Sequence, residues 1–479
     1  MAADKKSLKS AQKKTGILWY TMAFMAFSTV WGFGNIIIAY NYFGGLKSIV
    51  VWAIVFAIYF IPYSLMAGEL GSAFKDEGGG VSSWINATMG GKLAYFAGWT
   101  YWVVHMPYIS QKPSGFIISA SWIIYQDNRV SEMSIRTMQL ISLAIFIVIM
   151  LVATRGFKTL VSIATLAGTS MFVMSMLFIV MMIAAPALTG KVNAPVLNAE
   201  TLTPDFSWAL ILNLSILVFG VGGCEKISPY VNKMRDPAKD FSRGMIALVV
   251  MVGVTALLGT VALSMMFDGN AMPKDFLTNA TYQAFMKVGQ YYGLGSTFMI
   301  IYALCALVAQ VSIMIISIDA PLRILIESTG GDYIPSALKR QNKYGVYING
   351  YKLIAAIIIP LLILPMLGIG SVDDLVRWLI KLNSTVMPLR YLWVFVAYIA
   401  LKKAGQAITA DYRFTRSQTL GYIAGGWCFF VTLMASILGM YSEDTFQFVM
   451  NVLTPVILIG LGLIMPALAR REKRKTVGV

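Results

Sequence analysis

The chain has 479 residues, 58% of them hydrophobic and 13% charged, with a mean hydropathy of +0.71. A soluble domain carries about 45–50% apolar and about 25% charged residues, so this is a polytopic membrane protein and not a globular enzyme. One histidine and three scattered cysteines exclude a disulfide framework and a histidine/cysteine metal cluster, and no cofactor is expected.

Apolar stretches of spanning length fall at roughly 17–42, 46–70, 92–125, 137–154, 158–187, 208–230, 244–267, 294–322, 351–369, 373–401, 419–440 and 445–469, which predicts an all-α protein of about twelve transmembrane helices. The third, fifth and tenth stretches are long enough to require tilt or a bend. Residues 1–16 form a basic tail, 17–469 a single transmembrane domain and 470–479 a second basic tail. No loop exceeds about 30 residues, which leaves no room for a soluble domain. The N-terminus is not a cleavable signal, because its basic residues precede a full-length span with no small-residue cleavage pattern.

With the N-terminus inside, alternate loops and tails on the cytoplasmic side hold 27 Lys and Arg residues and the opposite side holds six: Lys47, Arg129, Arg136, Lys191, Lys274 and Lys287. Five more (Lys112, Lys226, Arg377, Lys381 and Arg390) lie in spans or at their ends. That asymmetry places both termini in the cytoplasm. It also accounts for the net charge of +16 as topology in a lipid bilayer and removes nucleic acid as a partner. The acceptor pattern Asn86-Ala87-Thr88 falls on the cytoplasmic side and carries no meaning there.

In the first span, Ser28-Thr29-Val30-Trp31-Gly32-Phe33-Gly34-Asn35 sets two glycines at mid-membrane. In the sixth, Phe219-Gly220-Val221-Gly222-Gly223-Cys224-Glu225 sets three glycines before a carboxylate. Each glycine weakens a helix by roughly 1 kcal/mol relative to alanine, and a carboxylate at membrane depth costs on the order of 3 kcal/mol. Irregular backbone at that depth is tolerated only where it lines a cavity or is buried in protein. The two stretches occupy the first position of each of two five-span units, about 17–187 and 208–401, as an inverted-repeat transporter requires. Unwound backbone there offers N–H groups to an anion and carbonyls to a cation, which suits an amino acid. The alternative is a glycine-lined helix crossing, with Glu225 already at the interface.

Four stretches carry a resemblance. They are Ser28 to Asn35; Ala67-Gly68-Glu69-Leu70-Gly71-Ser72-Ala73-Phe74 with Glu77-Gly78-Gly79-Gly80-Val81 and Ser83-Trp84-Ile85; Glu225 to Asn232 with Asp236-Pro237; and Pro321-Leu322-Arg323, Asp332-Tyr333-Ile334-Pro335, Asn342 and Gly345. The chain resembles the amino acid–polyamine–organocation superfamily, and within it the bacterial glutamate:GABA antiporter family. The resemblance implies a LeuT-type five-plus-five inverted repeat with discontinuous helices 1 and 6, two extra helices at about 419–469, and residence in a bacterial inner membrane. It implies substrate binding at Trp31, Gly32, Phe33, Gly34 and Asn35, with Phe219 covering the substrate beside Gly220, Gly222 and Gly223. Glu225 takes the role of the gating and proton-coupling glutamate. Two features depart from relatives: Thr165 stands where some carry a helix 5 lysine, and Ser317 where some carry a helix 8 tryptophan.

Lys112 lies deep in the third span, beside the helix-bending Pro113. It either meets the substrate side chain or pairs with Glu225 or Asp319. His105, seven residues earlier on the same helical face, is a second candidate for substrate binding, with simple packing as the alternative. Asp319 has Arg323 four residues away as its natural partner, and Arg377 and Lys381 can snorkel outward. Arg390 lies deeper and, with Lys112, would suit a side-chain carboxylate. The expected activity is secondary active transport of an amino acid by alternating access, with its decarboxylation product (an amine) or protons as the coupled species. A substrate sensor built on the same fold is the rival, and no set of catalytic side chains within the spans supports an enzyme.

Overall fold

The computed structural model describes residues 16–327, 333–367 and 372–477. The expected N-terminal tail and the motif residue Asp332 lie outside them, apart from Gly16. Among the described residues all regular structure is helical but for two isolated bridges, Ile17 with Met234 and Gln341 with Tyr347. Eleven helical segments are long and apolar enough to cross a bilayer, from Trp19–Tyr42 to Thr445–Lys475. The expected third stretch, 92–125, is not among these eleven by composition. It is two helices, Gly91–Val103 and His105–Tyr125. The second carries Ser110, Gln111, Lys112 and Ser114 in succession around Pro113, too polar a run to count as a span by composition. The helix Ile464–Val477 continues into the final basic stretch.

Helix ends follow local chemistry. Ser134, Ser207, Ser417 and Asp444 each accept a backbone N–H in the first turn of the helix that follows. Lys47 with Asp205, Lys191 with the Gln290 and Tyr291 carbonyls, and Asn128 with Asn279 join one set of loops. Lys75 with Asp411, Ile17 with Met234, and Ser336 with Glu472 join the other set. These contacts sort the loops into the same two sets as the charge count, and the second set will be called the basic face. The Lys75–Asp411 pair, at 2.6 Å, holds the Asp411 carboxyl below its ordinary range.

The long helix Thr297–Glu327 packs against both His105–Tyr125 and Phe157–Thr189, and Trp19–Val30 packs against Phe157–Thr189 and Pro237–Ser264. This bundle brackets two places where the backbone leaves the helix. The helix Trp19–Val30 stops at Trp31 (φ −130°, ψ 142°), and Phe33–Tyr42 restarts after Gly32 (φ −149°, ψ 161°). The helix Leu214–Val221 stops at Gly222 (φ −81°, ψ 157°), and a 3-10 segment, Cys224–Lys233, follows Gly223 at φ +108°. Gly32 is extended backbone that any residue adopts, whereas Gly223 sits where only glycine is unstrained.

Candidate functional site

The carboxamide of Asn35 ties the two breaks together. Its nitrogen donates to the Val30 carbonyl at 3.2 Å and to the Gly220 carbonyl at 2.9 Å, satisfying acceptors that the interrupted helices leave open. Beside this junction lies a cavity of about 260 Å³ lined by Ser28 to Asn35, by Tyr108, Gln111 and Lys112, and by Tyr302 and Gln310 from Thr297–Glu327. That volume is below the range of drug-sized pockets, roughly 300–1,000 Å³, so the occupant is a small solute. A Cβ built on Gly32 or on Gly34 meets nothing within 4 Å. These glycines therefore keep space open inside the cavity; they are not crowded by neighbouring helices.

Lys112 faces the cavity. Its ammonium lies 4.1 Å from the centroid of the Tyr108 ring and forms no ion pair among the described residues. Pairing with Glu225 or Asp319, one of its two expected roles, does not occur. Asp319 is held by Arg323 at 2.7 Å, as expected, and by the hydroxyls of Tyr230 and Tyr351 at 2.9 and 3.1 Å. Gln310 Oε1, a buried acceptor with no partner in the structure, is also on the cavity wall.

Glu225 is fully buried and does not line this cavity. It accepts hydrogen bonds from the hydroxyls of Tyr63 and of Tyr101, the latter at 2.6 Å, and faces Arg390 Nε at 3.7 Å. The second break makes room for this cluster. A Cβ on Gly222 would run into the Tyr391 ring, and one on Gly223 would stand 2.9 Å from an Arg390 nitrogen. Arg390, expected as a cation for the substrate, is instead spent on Glu225, His105 and the Tyr391 hydroxyl. His105 is 0% exposed and does not line the cavity. Arg390 donates to its Nε2, so that nitrogen carries a lone pair, and Nδ1–H donates to the Tyr101 carbonyl at 2.7 Å. The ring is thereby fixed as the Nδ1–H tautomer.

Phe219 packs edge-on against Tyr108 at 6.0 Å, at the rim of a small void beside Asn35 and Gly220. Thr165 hydrogen-bonds within its own helix, and Ser317 accepts from Lys226. Of the expected site residues, Trp31 to Asn35 and Lys112 line one cavity, Phe219 and Gly220 line the small void beside it, and Gly222, Gly223, Glu225 and His105 lie in the cluster around Arg390. Tyr108, Gln111 and Gln310 are cavity residues that the sequence reading passed over. The first two share a helical face with Lys112 or adjoin it, a signal present in the spacing His105, Tyr108, Lys112.

A bundle of apolar helices around a small cavity that carries polar side chains, with interrupted backbone on its wall, is the architecture of a membrane transporter. The chain belongs to the amino acid permease family, whose sequence profile matches residues 17–463. It is 46% identical over 478 residues, 97% of each chain, to the aspartate/glutamate permease AcaP of Lactococcus lactis subsp. cremoris (strain MG1363). It is 23% identical over 403 residues to the inner membrane transporter YjeM of Escherichia coli (strain K12), covering 78% of this chain and 79% of that one. YjeM of Salmonella typhimurium is 24% identical over 444 residues, 86% of this chain and 87% of its own. The protein is a polytopic transporter of amino-acid-like solutes and not an enzyme.

Proposed function

We propose that this protein is a secondary active transporter of acidic amino acids working by alternating access. The observation that carries the reading is Lys112, an ammonium on the wall of a small intramembrane cavity with no carboxylate beside it. Lys112 is half-buried, and a partly desolvated cation without an anion favours a ligand whose acidic side chain supplies one. The free N–H groups at the start of Phe33–Tyr42 take the α-carboxylate. The carbonyls of the first break and Gln310 Oε1 take the ammonium. The name of the Lactococcus relative, an aspartate/glutamate permease, agrees with this substrate class.

In this reading the two breaks belong to inverted five-helix repeats, about 17–187 and 208–401, with two further helices outside them. The basic face is cytoplasmic, in a bacterial inner membrane, and Glu225 links the gate to a proton. Uptake of radiolabelled aspartate into proteoliposomes tests the proposal. Uptake that needs preloaded amino acid or amine defines an exchanger, and uptake driven by an inward proton gradient defines a symporter. Aspartate bound without any uptake would support the sensor instead. Neither binding nor uptake of aspartate or glutamate would refute the substrate assignment.

A further inference from the structure

Lys226 lies in one of the stretches that carry the resemblance, but neither the resemblance nor the transport reading gives it a role. It follows Glu225 directly on Cys224–Lys233 and is 1% exposed. Glu225 is occupied by Tyr63, Tyr101 and Arg390. The Lys226 ammonium, which has three donors, makes one hydrogen bond, to Ser317 Oγ at 2.7 Å, and no ion pair among the described residues. Its other neighbour is the Tyr108 ring, whose centroid is 5.1 Å away. Lys112 lies over that same ring at 4.1 Å. Tyr108 lines the cavity and Lys226 does not, so the ring is what the two ammonium groups share and what stands on the cavity side of the deeper one. No hydrogen bond to a described residue anchors the Tyr108 hydroxyl; the ring is held by edge contacts with His105 and Phe219.

We propose that Lys226 is the second arm of a subsite for the substrate's side-chain carboxylate, and that the Tyr108 ring fills this subsite until an acidic substrate displaces it. The proposal rests on the acidic-substrate reading of the cavity. A carboxylate taking the place of the ring meets both ammonium groups in charge-assisted hydrogen bonds, which are about twice as strong as neutral ones. A carboxamide gains less from the same move, and a cationic side chain is repelled by both lysines. Tyr108 thereby makes selection conditional, since only a side chain that compensates the displaced cation–π contacts opens the second arm.

The test measures binding of L-aspartate and L-asparagine to the full-length protein in nanodiscs, by calorimetry, for wild type, K112M, K226M, K226R and Y108A. The readout is the ratio of the two affinities, which a general loss of stability does not move. K226M is expected to lose roughly tenfold or more of the preference for aspartate, and K226R to keep most of it. Y108A, which leaves both lysines and removes the ring to be displaced, is expected to raise the ratio. A wild type without preference for aspartate removes the underlying reading and this inference with it. A wild-type preference that falls in K112M but stays within about twofold in K226M overturns the inference alone. Should K226M not fold, Y108A decides, and a ratio that fails to rise overturns the proposal.

Discussion

Replacing Arg390 with methionine removes the cation that, among the described residues, forms an ion pair with Glu225, while keeping much of the apolar volume of the side chain. Removing one partner of a buried ion pair costs about 3–5 kcal/mol, because the other charge is left uncompensated. Glu225 falls in that range for two reasons visible in the structure. Its side chain is 0% exposed, so water cannot replace the guanidinium, and its remaining partners are two tyrosine hydroxyls that donate hydrogen bonds but carry no charge. The substitution also strips the donor from His105 Nε2, which adds a further loss of about 1 kcal/mol. The double variant R390M/E225Q removes the orphaned charge and is expected to recover most of the deficit, leaving about 1–2 kcal/mol for the hydrogen bonds no longer made. Equilibrium unfolding of the purified protein in mixed micelles, with thermal melts alongside, measures both quantities. An R390M protein within about 0.5 kcal/mol of wild type, or a double variant no more stable than the single one, would refute the assignment of Arg390 as the counter-charge of Glu225.

Four further outcomes are expected. K112M should shift a competition panel from acidic toward neutral amino acids with little change in melting, because Lys112 has no carboxylate to orphan; an unchanged panel would remove it from the site. G34V should melt like wild type yet bind substrate at least about tenfold more weakly, since its added atoms enter open cavity space; wild-type affinity would take this helix start out of the binding surface. G223A should lower stability by about 1–3 kcal/mol, through a left-handed backbone at φ +108° and the Arg390 nitrogen beside it; an unshifted unfolding curve would contradict that strain. E225Q should abolish the pH dependence of transport in proteoliposomes, and a retained profile would leave the glutamate with a structural role alone.

What the sequence disclosed was what local chemistry decides. Apolar runs long enough to span, glycines clustered at mid-membrane and the unequal loop charges are each properties of short stretches, and loop contacts partition as the charges imply. The identity of charge partners was not local. Lys112, Arg390 and Glu225 all read as deep ions, but which cation reaches Glu225 depends on how a turn at Met387–Arg390 packs under the second break. Glu69 was visible only as part of a motif, yet it binds Lys402, 333 residues away, at 2.6 Å and accepts the Phe414 N–H at 2.9 Å. The third expected span is too polar to stand out by composition, and Gln111, Lys112 and Ser114 within it line the cavity. Lys226 was counted only among the cations in spans or at their ends, since no feature of the sequence shows which side chain its ammonium meets.

Asn35 bears on how the transporter can move. One carboxamide donates to carbonyls near the end of both interrupted helices, Val30 in one and Gly220 in the other. While both bonds hold, the two interruptions are not independent joints; they share a single degree of freedom. Spectroscopic labels placed across the Val30–Gly220 junction should then report a constant separation through the transport cycle, with the changes appearing against Phe157–Thr189 and Thr297–Glu327, the helices that flank it. In N35A the same pair of labels is expected to drift apart, because nothing then ties the two interruptions to one another.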